Sequence, residues 1–120
     1  MTIEQPGRTR VSSQRVRIAR ETLLDVSACK LVESVRDVIC EPTRTQIVRA
    51  LTPGPLAVGE LAGVLGRSKS ATSQHLRVLR NAGVVNARRR GRVVMYSLSG
   101  GPMVAATVEV LKQAANVAAA

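Results

Sequence analysis

The chain has 120 residues, a formal charge of +10 and a single aromatic side chain, Tyr96. That is enough for one modest aliphatic core and too few rings for the modules that stack unpaired bases on aromatics. No apolar run approaches a bilayer span, and the N-terminal arginines are not followed by the apolar stretch of a secretory leader, so no membrane association is expected and the expected compartment is the cytoplasm.

Residues 1–13, with Pro6, Gly7, Ser12 and Ser13, read as an arm, and a helix with an arginine-rich face can begin near Gln14. We take 1–26 as a basic arm, partly flexible or helical, and 27–120 as the folded domain. Leu31, Val32, Val35, Val38 and Ile39 repeat with the spacing of an amphipathic helix. Pro42 suits a first helical position ahead of TRTQIVRAL, and Pro53, Gly54 and Pro55 end that helix. Val58, Leu61, Ala62 and Leu65 mark a short helix closed by Gly66. Ser68 caps a further helix, 68–81, which stops at Gly83. Two Val/Arg-rich strands, 84–89 and 92–98, flank a turn at Gly91, with the wing taken as 86–93. Gly100, Gly101 and Pro102 introduce a last helix rich in Val and Ala. The expected fold is mainly α with a β-hairpin wing, in the order α-α-α-α-β-β-α, a winged helix-turn-helix.

Charge is segregated along this order. Residues 1–20 carry +4, residues 21–60 carry −2 and residues 61–108 carry +8, with no acidic residue between Glu60 and Glu109. A one-signed block over a helix-turn-helix and hairpin points to double-stranded DNA. At about 100° per residue, Ala71, Leu76, Val78 and Leu79 share one arc of helix 68–81. Ser70, Ser73, Gln74 and Arg77 fall opposite, and their short or forked hydrogen-bonding groups suit base edges. Arg67, Lys69 and Arg80 flank that face, where phosphates would lie. His75 falls in the apolar arc and is read as a core or boundary residue rather than a base contact. Arg88, Arg89, Arg90 and Arg92 crowd the hairpin tip, where they can enter a minor groove or grip phosphates. A charged edge that deters strand pairing is the plainer alternative.

The stretch EPTRTQIVRAL, followed by LAVGELAGVLGRSKSATSQHLRVLRNAGVVNARRRGRVVMYSLS, resembles the ArsR/SmtB family of bacterial winged-helix repressors over about residues 30–100. Its densest part is Ser73, His75, Leu76, Leu79, Arg80, Ala82, Gly83, Val84 and Val85, then Arg89, Gly91, Arg92 and Tyr96. The resemblance implies a homodimer joined through its first and last helices, a palindromic operator with half-sites about one DNA turn apart, and DNA affinity that changes with an effector. Leu31, Val35, Val38, Val104, Val108 and Leu111 are compatible with such an interface and equally with intrachain core. Metal-sensing members carry C-x-C ahead of the recognition helix, where this chain has Ala57 and Gly59, or His and Asp on the last helix, where it has neither. Metal sensing therefore does not carry over, and no metal or cofactor is expected.

Cys29 and Cys40 read first as small buried hydrophobes in a reducing compartment. A thiol switch or an arsenite-type site is the other reading. On one helix they would stand about 16 Å apart along its axis, too far for a disulfide within it. A lone histidine, scattered carboxylates and no phosphate loop or nucleophile motif argue against an enzyme. The expected activity is that of a homodimeric transcriptional regulator, by family bias a repressor. A non-specific architectural DNA-binding protein is the competing reading, since the basic arm and net charge suit it as well.

Overall fold

The computed structural model describes residues 12–120. The arm expected over residues 1–13 lies outside the described residues as far as residue 11. The described residues divide into two compact units, 12–30 and 31–120.

In the first unit, α1 (Ser13–Glu21) starts where Ser12 offers its hydroxyl to the Arg15 N–H at 3.3 Å. It buries no residue and presents Arg15, Arg17 and Arg20 to solvent. Asp25 then caps the start of α2 (Val26–Ile39), its carboxylate accepting from the Ala28 N–H at 2.8 Å.

The second unit holds the rest of α2, then α3 (Pro42–Leu51), β1 (Leu56–Ala57), α4 (Val58–Leu65), α5 (Lys69–Asn81), β2 (Val85–Arg90), β3 (Val93–Leu98) and α6 (Pro102–Ala119). The expected helices and hairpin are all present, with each strand shifted by about a residue. β1 is an addition to the expected elements. It pairs antiparallel with β3, giving the order β1-β3-β2 and leaving β2 at an edge.

The core is aliphatic. Val38, Ile47, Val48, Leu51, Leu61, Leu76, Leu79 and Val85 form one buried cluster, with Tyr96, Leu98, Val108 and Leu111 packed against it. The 3.6-residue period explains its membership: α3 supplies Ile47, Val48 and Leu51, and α5 supplies Leu76 and Leu79 from one side only. α2 contributes only Val38. Of the six residues compatible with a dimer interface, Val38 is buried and Val108 and Leu111 pack on this core, whereas Leu31 is half exposed.

Two glycine-closed helix ends set the directions of α5 and the wing. Gly66 closes α4 in the left-handed region at φ 64°, and Arg67 N–H reaches back to the Ala62 carbonyl at 3.1 Å. Gly83 does the same after α5 at φ 77°, with Gly83 N–H on Arg80 O and Val84 N–H on Leu79 O. Both conform to the Schellman pattern, which satisfies terminal carbonyls and turns the chain sharply. Ser99 then ties the hairpin base to that second turn. Its hydroxyl donates to the carbonyls of Gly83 and Val84, and its N–H donates to Val84 O at 2.9 Å.

Candidate nucleic-acid interface

The turn between α4 and α5 is Gly66-Arg67-Ser68. Ser68 caps α5, its hydroxyl accepting from Ala71 N–H at 3.0 Å while its backbone carbonyl takes the Thr72 hydroxyl at 2.8 Å. α5 is anchored through Thr72, Leu76 and Leu79, each no more than 1% exposed.

This anchoring fixes which face is presented. Ser70, Ser73, Gln74 and Arg77 are all exposed, as are Arg67, Lys69 and Arg80. Val78 departs from the sequence reading, which places it in the apolar arc. It is 40% exposed, while Thr72 is fully buried. At about 100° per residue the buried arc centres between Thr72, Leu76 and Leu79, so Val78 turns to the rim beside Gln74. Thr72 can face inward because its hydroxyl is satisfied within the helix. His75 sits at the boundary, its Nδ1 3.8 Å from the Glu41 carboxylate, which also accepts from the Arg44 N–H at 2.7 Å.

The wing tip is a two-residue turn, Gly91-Arg92, between the paired Arg90 and Val93. Gly91 has φ 61° and Arg92 has negative φ, the signature of a type II′ hairpin. The strand period then separates the arginines. Arg89 shares a face with Val85 and Ala87, opposite Val94, Leu98 and Tyr96, and this is the core-facing side. Arg88 and Arg90 project from the other face with Asn86. The four arginines thus do not form the one patch that their crowding in sequence suggests. Arg92 lines a groove with Lys69, Gly59, Glu60 and Tyr96.

Tyr96 is a site residue that sequence reasoning uses only as part of a motif. It pairs with Ala87 and Leu56 across the sheet, packs on the core and lines a groove of about 510 Å³ with Ser73, Arg77 and Arg80. Its signal is present in the sequence, because the one ring in an aliphatic chain falls at an inward strand position.

Both cysteines are exposed and unpaired with each other, so the reading as buried hydrophobes is corrected. Cys40 comes two residues after Val38, and about 200° of helical rotation carries it away from the core. The Cys29 thiol lies 3.9 Å from the Leu24 carbonyl. Among the described residues no group of three His, Cys, Asp or Glu side chains is placed to hold a metal ion, and no helix is long and apolar enough to cross a membrane.

Residues 41–87 match the family described as "Bacterial regulatory protein, arsR family". The HTH-type transcriptional regulator NmtR of Mycobacterium tuberculosis is 44% identical over 75 residues, which is 62% of each chain. Two further curated relatives are covered over 56% and 52% of their length, so the chain spans little more than half of these proteins. The solved structure of HlyU from Vibrio cholerae superposes with a TM-score of 0.67 at 31% identity, covering 75% of this chain and 97% of that one. A homodimeric winged helix-turn-helix DNA-binding domain from Mycobacterium bovis shares the fold at 24% identity and a TM-score of 0.64. The helix-turn-helix of α4 and α5, the II′ wing and these likenesses together place the chain in the arsR family of bacterial transcriptional regulators, with a winged helix-turn-helix fold.

Proposed function

We propose that the protein is a homodimeric repressor that reads a palindromic operator through α5 and grips its backbone through the wing. The observation that carries this reading is the exposed face of α5. Ser70, Gln74 and Arg77 stand opposite the buried Thr72, Leu76 and Leu79, where a docked duplex would meet them. Gln and Arg forks pair with adenine and guanine edges respectively, and Val78 beside them offers methyl groups to a thymine. Arg67, Lys69 and Arg80 flank this face, and among the described residues none of them is paired with a carboxylate. They are assigned to phosphates, with Arg89 and Arg92 extending the grip along the wing. A relative called a regulator and a neighbour described as a homodimeric DNA-binding domain support the same reading.

Selection from a random duplex library tests it. The enriched sequences should be inverted repeats with centres about 10 base pairs apart or a multiple of that. Enrichment of no sequence, with binding that depends steeply on salt, would favour the architectural reading, which the +10 charge also suits.

A further inference from the structure

We propose that the outer face of the wing sheet is a site for a small phosphorylated molecule. It shares Arg80 alone with the surface assigned above to DNA, and its coupling to DNA rests on that assignment. Strand alternation puts Asn86, Arg88 and Arg90 on this face, and the register places Ser97 and Met95 across from Asn86 and Arg88. Together with Arg80 they line a groove of about 650 Å³ that also takes in Gly83, Val85 and Ala87 along the β2 edge, within the range of roughly 300–1,000 Å³ typical of small-ligand sites. Three arginines, Arg80, Arg88 and Arg90, line the groove, and among the described residues no carboxylate is paired with any of them. Like charges lining one groove favour a bound anion, and the arginine fork matches phosphate oxygens bidentately. The Asn86 amide and the Ser97 hydroxyl supply neutral donors and acceptors, and Met95 an apolar contact, for the remainder of the ligand.

Arg80 gives the site a consequence. It lines this groove and also the groove that holds Ser73, Arg77 and Tyr96 beside the reading face of α5. A phosphate held on the outer face competes for the side chain that the DNA backbone would use. Occupancy therefore lowers DNA affinity, and DNA lowers ligand affinity by the same factor. The same phosphate chemistry is also carried by the DNA backbone, so the test must separate the two sources.

Inorganic pyrophosphate is titrated into the full chain at constant ionic strength and followed by calorimetry. The site predicts saturable binding that Arg88→Gln weakens roughly tenfold or more. Arg89→Gln removes the same charge from the opposite sheet face and should leave binding within about twofold. Equal weakening by the two variants would reduce the effect to net charge and overturn the site, as would the absence of saturable heat. In a second arm, pyrophosphate should lower duplex affinity for the wild type and not for Arg88→Gln. Loss of duplex binding in Arg88→Gln without any pyrophosphate binding would assign the groove to the DNA backbone and overturn the small-ligand site. The calorimetric arm contains no DNA, so failure of the DNA-reading proposal leaves it intact.

Discussion

Gln74, Arg77 and Val78 are exposed because Thr72, Leu76 and Leu79 hold the opposite side of α5 in the core. If Arg77 reads a guanine, Arg77→Ala should cost about 1–3 kcal/mol on the operator and much less on random duplex. Val78 allows a sharper check. Replacing thymine by uracil in the half-site removes one methyl group, and the loss should be present in the wild type and absent in Val78→Ala. Mobility-shift titrations of the four combinations would show it, and an equal uracil effect in both proteins would remove Val78 from the reading face. Composition and angle identify the polar residues of this face from sequence. They misplace Val78 because hydrophobicity alone rotates the arc, whereas Thr72 is buried with its hydroxyl bonded inside the helix. The cysteines are misread for a related reason, since a residue type often buried is not buried when its helix offers the core a single side chain.

The orientation of α5 depends on how its neighbours begin and end. Ser68 caps it at 3.0 Å, and Ser68→Ala should lower unfolding stability by about 1 kcal/mol, measured as a shift of the denaturant midpoint. The wing depends on Gly91 at φ 61°. Gly91→Ala forces a side chain onto a positive φ that L residues rarely adopt, at a cost of roughly 1–3 kcal/mol. The loss should fall on hairpin order and DNA affinity rather than on the helical core, so circular dichroism should remain near wild type while duplex binding weakens. The glycine and serine punctuation makes these elements legible from sequence. β1 is not legible, because two residues, Leu56 and Ala57, carry no periodicity and are defined only by pairing with Tyr96 and Met95. The separation of Arg88 and Arg90 from Arg89 needs the register as well, since four near-adjacent arginines look like one patch until the strand period is applied.

Across the whole molecule, charge and apolar exposure divide the proposed tasks. The acid-free stretch 61–108 covers α5 and the wing. Leu31, Val32 and Val110 remain about half exposed on α2 and α6, apolar surface that a second copy would cover. Leu31→Glu should therefore shift the sedimenting species from dimer to monomer with little change in the stability of the single chain. Val38, expected in the same role, is 2% exposed and should instead destabilise the fold when truncated, by about 1–3 kcal/mol. Sequence alone leaves core and interface open for these residues, because an apolar period marks a buried face without naming what buries it. In the proposed division of labour, α5 reads sequence while the surrounding basic groups supply grip. Fluorescence anisotropy of wild type and Arg77→Ala against a selected operator and a scrambled duplex, over a salt series, separates the two tasks. The wild type should prefer the operator by roughly 10³-fold or more, and Arg77→Ala should erode this ratio with little change in scrambled binding. Equal affinity for the two duplexes, or the same loss on both in Arg77→Ala, would overturn the division.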